Sequence, residues 1–312
     1  MRKLLRTLRQ WIDAHEQAPF PPEQKDAIDW FRVIPFIFLH VACLGVFFTG
    51  YSATALWVAA SLYAVRIFSI GAFYHRYFSH KTYRTNRIWQ FLFAMLGETA
   101  IQRGPLWWSA HHRSHHLQSD QPEDVHSPKQ HSYLWSHMGW FLSKGNFSFD
   151  RGRVKDWQQY PELVWLDRYD ILVPVVLAVG LFIIGHLLYL FAPALHTNGM
   201  QLLVWGFFIS SVVSLHVTLS INSLAHYFGK KIYQTDDDSR NHWFLALLTF
   251  GEGWHNNHHR YPATAQQGFR WWQFDLTFYL LAIMEKLGII WDLKRVPQRI
   301  IDEARSPQHE TP

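Results

Sequence analysis

The sequence predicts an all-α integral membrane protein with four transmembrane helices in two hairpins and a cytoplasmic helical cap that holds a histidine-rich site. Three observations predict this fold. Four apolar segments, at residues 33–50, 54–73, 171–192 and 202–221, are close to the roughly 20 residues that a helix needs to cross a bilayer. Lysine and arginine are almost absent from these segments. Finally, many of the twenty histidines fall in short clusters.

The distribution of charge predicts the topology of these spans. The two short connections, 51–53 and 193–201, contain no Lys or Arg, whereas the N-terminal, middle and C-terminal segments are basic. The positive-inside rule therefore places both termini and the middle segment in the cytoplasm. Arg66 lies inside the second segment, where its charge is costly in lipid unless it faces protein or reaches the interface. We expect one domain, 1–312, whose cytoplasmic cap comprises residues 74–170 and 222–300.

Composition argues against several other classes of protein. A chain with 49% hydrophobic residues is not a disordered one, and its single cysteine, Cys43, cannot form an internal disulfide. The net charge is +5, and the basic residues lie in the segments that the predicted topology places in the cytoplasm. The sequence contains no folded motif that reads nucleic acid. We therefore expect no nucleic-acid partner.

Three histidine clusters and one Asn–His pair lie just beyond the spans or between them. Residues spaced i, i+3 and i+4 share one face of a helix, so each cluster can present several rings in one direction. His75 and His80 are five residues apart and meet one site only if their helix ends or bends between them. The residues brought to one site by this reasoning are His75, His80, His112, His115, His116, Asn222, His226, His255, His258 and His259.

These residues predict a centre of two metal ions. Imidazole suits iron, copper, zinc and nickel, and nine imidazoles exceed what one ion binds. Carboxylates behind the ligands would offset the charge of the ions, and the candidates are Glu98, Asp120, Glu252 and Asp275. His111 stands off the shared face and is left out of the ligands. The histidines within the spans are interpreted as interhelix hydrogen-bonding or surface residues, and they are His40, His186 and His216.

At these residues the chain resembles the membrane fatty-acyl desaturases of the stearoyl-CoA delta-9 type. HRYFSH at 75–80, HRSHH at 112–116, NSLAH at 222–226 and GEGWHNNHH at 251–259 occur in the family's order, and SHMGW at 136–140 and WWQFDLT at 271–277 are similar to family segments. The resemblance covers residues 31–297. It implies a non-haem di-iron centre held by the nine histidines, with Asn222 holding an iron-bound water. It also implies that dioxygen and two electrons remove hydrogens from two adjacent methylenes, which leaves a cis double bond.

The resemblance further implies a narrow, bent tunnel for the acyl chain. Gln102, Trp108 and Thr218 match positions that shape the bend. Tyr63 matches the residue that closes the far end, and Ile67 lies one turn further along the same span. A tunnel of fixed depth converts chain length and double-bond position into a distance from the irons.

One departure from the family pattern concerns the acyl carrier. Animal enzymes carry an Arg-Asp pair before HRxHH that helps to bind coenzyme A, and here that pair is Ala110-His111. Arg103 and Lys144 are the candidate phosphate contacts that remain. We expect a long-chain acyl-CoA substrate, with an acyl group esterified in membrane lipid as the alternative. Without a fused cytochrome b5-like extension, the electrons would come from a separate ferredoxin, rubredoxin or cytochrome b5-like protein with its reductase.

Other chemistries and classes stay open at this point. A lipid or alkane hydroxylase uses related histidine boxes, although NSLAH and GEGWHNNHH favour the desaturase. A histidine-rich metal transporter would place its ligands at the middle of the spans, whereas these clusters lie beyond the span ends. A structural metal site is usually a closed tetrahedral cage, which nine histidines and an asparagine do not suggest.

Overall fold

The computed structural model describes residues 8–17 and 19–304, and this part of the chain is mostly helical. It holds three helices that are long and apolar enough to cross a membrane, Ala53–Ser79, Leu172–Phe191 and Gly199–Leu224, which we call the first, second and third long helices. They match the predicted second, third and fourth spans. The predicted first span forms the apolar helix Ile34–Thr49, which is shorter than the other three.

The short apolar helix has local reasons for its length. It consists of Ile34–Val41, a 3-10 turn at Ala42–Gly45 and a last turn at Val46–Thr49. It ends at Gly50, whose φ of 62° is a left-handed conformation that glycine adopts without steric cost. At about 1.5 Å per residue, such a helix covers about 24 Å of a hydrocarbon core that is about 30 Å thick. A span at 33–50 therefore stays a prediction.

Both hairpin connections meet at one end of the molecule. Ser52 caps the first long helix by accepting a hydrogen bond from the Ala55 amide, and its hydroxyl donates to Thr197 Oγ1 at 3.0 Å. Asn198 caps the third long helix by accepting from the Gln201 amide. The caps satisfy amides that a helix start would otherwise leave unpaired, and they also join the two connections.

Arg66, the one charged residue within the predicted spans, is buried against protein. Its side chain is fully buried between helices and donates to Thr99 O at 2.7 Å, Ser210 Oγ at 2.6 Å and Gly206 O at 3.3 Å. The guanidinium thus faces protein, which is one of the two ways in which such a charge is tolerated at this depth.

The remaining described helices are short and pack around an aromatic core, and we call this part of the chain the cap. Phe73 stacks on Phe93 with ring centroids 4.0 Å apart, and Tyr74 packs against Gly97. Two short strands, Arg84–Thr85 and Ile290–Trp291, pair antiparallel. The cap α-helices are Arg87–Glu98, Pro105–Gln118, Lys155–Gln158, Pro161–Arg168, Trp243–Leu248, His255–Arg260, Leu276–Lys286 and Gln298–Glu303. Shorter turns in the cap are 3-10 helices at Trp140–Leu142, Lys144–Phe147 and Arg151–Val154 and a π-helix at Trp135–Gly139. Two further 3-10 turns lie elsewhere, Pro22–Gln24 near the start of the chain and Pro193–Leu195 in the second hairpin connection.

Candidate metal centre

A change of helical winding brings the first two histidines together. The first long helix continues as a π-helix over Ile70–Ser79, and the amide of His80 donates to the carbonyl of His75, five residues earlier, at 3.2 Å. Residues five apart are neighbours on a π-helix, whereas they diverge on an α-helix. The rings of His75 and His80 accordingly lie 5.0 Å apart. Between the two histidines the helix therefore changes its winding, and it ends at Ser79, just before His80.

The nine predicted histidines form two groups. Within each group the candidate ligand nitrogens lie within 4.8 Å of one another. The five-histidine group is His75, His80, His112, His116 and His258, and the four-histidine group is His115, His226, His255 and His259.

Two short helices contribute to both groups. On Pro105–Gln118, His112 and His116 belong to the five-histidine group, whereas His115 belongs to the four-histidine group. On His255–Arg260, His258 belongs to the five-histidine group, whereas His255 and His259 belong to the four-histidine group. Each HxxHH motif therefore reaches both groups from one helix face, which places the two groups side by side.

Four of the nine rings are oriented by a carboxylate on the Nδ1 side. Nδ1 of His115 is 2.9 Å from Asp124 Oδ2, that of His226 is 3.0 Å from Asp120 Oδ2, and that of His259 is 2.6 Å from Asp237 Oδ2. The Nδ1 atom of His75 pairs with Glu252 in the same way. A carboxylate on Nδ1 holds the proton there and leaves the Nε2 lone pair free for a metal ion.

Glu252 is itself held by a buried cation. Arg76, the residue next to His75, contacts Glu252 Oε1 at 2.7 Å and Asp275 Oδ1 at 2.9 Å. Burial alone would raise the pKa of Glu252, but Arg76 and His75 lower it to about 2. Glu252 is therefore a carboxylate at neutral pH.

The arrangement of nitrogens fits bound cations. The Nε2 atom of His258 lies 3.0 Å from that of His75 and 2.8 Å from that of His116, so three ring nitrogens converge on one point. Burial, followed by neighbouring histidines, holds the pKa of His116 and of His258 well below the usual value, so these rings are neutral and their lone pairs are available. Within the described residues, His259 Nε2 is buried without any hydrogen-bond partner. Converging lone pairs and an orphaned nitrogen are what a pair of metal ions would satisfy.

The remaining candidates occupy different positions. Asn222 lines the same cavity as His115 and His255. His111 bonds to Ser148 O at 3.0 Å and belongs to neither histidine group. Asp120 and Glu252 contact histidine rings, whereas Asp275 contacts Arg76. Both carboxyl oxygens of Glu98 are buried with no hydrogen-bond partner in the described part of the chain, so Glu98 does not orient any of the histidine rings.

Sequence reasoning missed two of the four carboxylates and one neighbouring histidine. Asp124 and Asp237 lie in loops at no helical spacing from the rings that they orient, so no local pattern marks them. His126 joins His115 and Asp124 in a third small group. The DVH sequence at 124–126 is the only signal, and it is a weak one.

A cavity of about 460 Å³ leads to the histidines. Of the predicted tunnel residues, Gln102, Trp108 and Thr218 line it, and the indole of Trp108 stacks on His112 with centroids 5.0 Å apart. Tyr63 and Ile67 are not among the described residues that line this cavity. Tyr63 instead donates to Leu248 O at 2.8 Å, so its tunnel role stays a prediction.

Comparison with known proteins agrees with this arrangement. The family model described as "Fatty acid desaturase" matches residues 18–293. The chain is 35% identical to a delta-9 acyl-lipid desaturase of Arabidopsis thaliana, in an alignment that covers 86% of this chain and 84% of that protein. It is 33% identical to an sn-1 stearoyl-lipid 9-desaturase of Anabaena variabilis, over 86% and 95% of the two chains. It is 34% identical to an acyl-CoA 5-desaturase of Anemone leveillei, over 88% and 82%. The chain belongs to the fatty acid desaturase family.

Proposed function

We propose that this protein is a dioxygen-dependent desaturase that introduces a cis double bond at the delta-9 position of a long-chain saturated acyl group. The observation that carries the proposal is the pair of adjacent histidine groups at the wall of a largely apolar cavity. The five- and four-histidine groups would each hold one iron, with Asn222 beside the four-histidine group. When bound, the two irons supply the reduction of dioxygen and the removal of two hydrogens.

Side chains that line the cavity would determine which two methylenes lie next to the metal centre. Trp108 and Thr218 line the cavity, and the contact of Trp108 with His112 fixes the indole against the metal centre. An acyl chain that passes these side chains is held at a set distance from the ligand nitrogens. Holding the reactive carbons in place and excluding water are the two contributions that such a cavity makes to catalysis.

The exposure of two lining residues supports a lipid-linked acyl group as the substrate. Phe38 of the short apolar helix and Val175 of the second long helix line the cavity and are also 61% and 48% exposed on the outer surface. In a bilayer that surface faces lipid, so a lipid acyl chain could enter from the side without leaving the membrane. Coenzyme A would have to approach from the aqueous side of the cap.

Two arginines line the cavity, and a phosphate contact there would serve a phospholipid and coenzyme A alike. Arg32 and Arg103 both line the cavity, with Asp170 at 3.0 Å from Arg103 Nε as the nearest carboxylate. Arg32 and Asp170 each lie two residues before an apolar helix, at the level where lipid phosphates are found. Asp29, Asp170 and Asp13 all act on Arg32, so carboxylates balance the two arginines at this end of the cavity. Lys144 does not line this cavity and donates to Gln24.

The expected setting is a multi-pass membrane protein with both termini and the cap in the cytoplasm, where a separate electron-donor protein would dock. The test of function is fatty-acid methyl ester analysis of a host that lacks its own desaturase. A new cis-9 monoene, absent in His258→Ala and His115→Ala variants that still insert in the membrane, would support the proposal. A hydroxylated product would move the assignment to a hydroxylase.

The carrier is tested with the purified enzyme and a competent electron donor. Stearate in phosphatidylcholine and stearoyl-CoA are offered separately and in competition. We expect conversion of the lipid-linked chain. Conversion of stearoyl-CoA alone would restore the acyl-CoA substrate that the sequence led us to expect.

A further inference from the structure

One short helix of the cap exposes large apolar side chains. The helix Trp243–Leu248 begins with Trp243 and Phe244, which are 68% and 47% exposed, and Leu247 on its next turn is 49% exposed. Its other residues, such as Leu245 and Ala246, are buried against the rest of the cap. An exposed patch of this kind on a protein marks a surface that a partner or a membrane covers.

A second cap helix extends this surface. The carbonyl of Phe250 accepts from the amide of Thr277 at 2.9 Å, which joins the end of the first helix to the start of the helix Leu276–Lys286. On that helix Tyr279 and Ile283 are four residues apart, so they share one side, and both are exposed. We call the combined surface the apolar face, and its residues are Trp243, Phe244, Leu247, Phe274, Tyr279 and Ile283.

A hydrogen bond to the first long helix indicates the depth of the apolar face. Tyr63 lies ten residues after Ala53, which is about 15 Å along the axis and close to the middle of a hydrocarbon core about 30 Å thick. The hydroxyl of Tyr63 donates to Leu248 O at 2.8 Å, and its ring lies 6.5 Å from that of Phe250. The end of the helix Trp243–Leu248 therefore lies at the depth of lipid acyl chains.

The charges near the apolar face fit the same surroundings. In residues 243–250 and 271–284 the only charged side chain is Asp275, which is buried and pairs with Arg76. Basic residues flank the two segments in the sequence, and they are Arg240, Arg270 and Lys286. Apolar and aromatic side chains between flanking cations are typical of a segment that enters a membrane with anionic headgroups.

The backbone at both ends of the helix Trp243–Leu248 is hydrogen-bonded within the protein. At its start the Nδ1 atom of His242 accepts from the Leu245 amide at 3.3 Å. At its end the carbonyl of Leu248 accepts from the Tyr63 hydroxyl. Unpaired backbone groups are costly in hydrocarbon, so bonds of this kind are what a helix needs in order to end where water is absent.

We propose that the apolar face is immersed in the acyl chains of the leaflet nearest the cap, so that part of the cap lies in the bilayer. A partner protein or a second copy of the chain would also cover apolar side chains, but neither accounts for a contact at the middle of a span. The charge pattern of the sequence alone had placed all of residues 222–300 in the cytoplasm. A face covered by lipid is also closed to an electron-donor protein, which would have to dock elsewhere on the cap.

The test uses single nitroxide labels on the full-length protein in nanodiscs of phosphatidylcholine and phosphatidylglycerol. Cys43, the only cysteine, is first replaced by serine, and Phe244→Cys, Leu247→Cys and Ile283→Cys are then labelled one at a time. All three positions are exposed, so the label replaces no core side chain. The accessibility of each label to O2 and to a polar nickel complex is measured by power saturation.

Two further labels are the matched controls. Val179→Cys lies on the exposed side of the second long helix and reports lipid, whereas Lys155→Cys lies on the exposed surface of the cap and reports water. None of these measurements uses turnover, so the result is independent of the proposed reaction.

We expect the ratio of O2 to nickel accessibility at 244, 247 and 283 to match that at 179. It should exceed the ratio at 155 by about 10-fold or more, because hydrocarbon expels a polar nickel complex and not O2. Ratios that match the label at 155 would overturn the proposal, since the apolar face would then lie in water. Labels shielded from both O2 and nickel would also overturn it, because a protein would then cover the face.

Discussion

Replacing Asp237 by asparagine tests whether the carboxylates prepare the histidines for metal. Asp237 Oδ2 accepts from His259 Nδ1 at 2.6 Å, while its Oδ1 accepts from Thr235 Oγ1 at 2.9 Å and from the Ser239 amide at 3.0 Å. Asparagine has only one oxygen for these three donors. If it keeps the Thr235 and Ser239 bonds, its NH2 group faces His259 and forces the hydrogen onto Nε2. If it turns instead, the Ser239 bond is lost, and the Thr235 bond survives only with the hydroxyl oxygen as acceptor.

Both orientations of the asparagine should weaken iron binding. One or two lost hydrogen bonds cost about 1–2 kcal/mol at about 1 kcal/mol each, and an inverted His259 tautomer removes one lone pair from the four-histidine group. Loss of a carboxylate behind a ligand typically lowers metal affinity by about 10- to 100-fold, which equals about 1.4–2.7 kcal/mol. We therefore expect Asp237→Asn to bind iron about 30-fold more weakly at the four-histidine group.

The assay is iron retention against increasing chelator, with Asp238→Asn as the control. The Asp238 side chain is 42% exposed and pairs with Lys129 at 3.2 Å, so its substitution leaves the histidines untouched. Asp237→Asn should release about half of its iron at lower chelator concentrations, and Asp238→Asn should follow wild type. Identical curves for the three proteins would refute the role assigned to Asp237.

Three further predictions follow from buried side chains. Burial, followed by the charges of Asp170 and Asp167, raises the pKa of Glu98 from 4.5 to about 10. Between these two values the folded protein keeps a proton that the unfolded chain has lost, so the wild type becomes less stable as pH rises from 4.5 to about 10. Glu98→Gln should flatten the fall of Tm in detergent with rising pH, and an unchanged slope would contradict the assignment. A Cβ on Gly97 would lie 2.0 Å from the ring of buried Tyr74, so Gly97→Ala should lower the free energy of unfolding in denaturant by about 1–3 kcal/mol. Gly180→Ala, where a Cβ meets open space, should not lower it. Equal free energies of unfolding for the two variants would show that the Tyr74 ring moves aside. Tyr63→Ala should lengthen the accepted acyl chain if Tyr63 closes the tunnel, and an unchanged chain-length profile would leave it a packing residue.

The sequence by itself determined the apolar helices well. Segments predicted at 54–73, 171–192 and 202–221 correspond to Ala53–Ser79, Leu172–Phe191 and Gly199–Leu224. The second long helix begins and ends within one residue of the predicted segment because the run of apolar residues begins and ends at the same positions. The other two extend further because their ends are buried in the cap, where packing rather than hydropathy decides whether a polar segment stays helical.

The sequence also determined which histidines gather, because spacings of three and four residues are a local property of the helical backbone. Only the tertiary structure decided how they divide. The pairs His259–Asp237, His226–Asp120 and His75–Glu252 join residues 22, 106 and 177 positions apart. No local period encodes contacts at such separations, since they form only when the helices pack. The same holds for His216, whose two ring nitrogens each lie 2.9 Å from a nitrogen of His40 or His137, two residues from other parts of the fold.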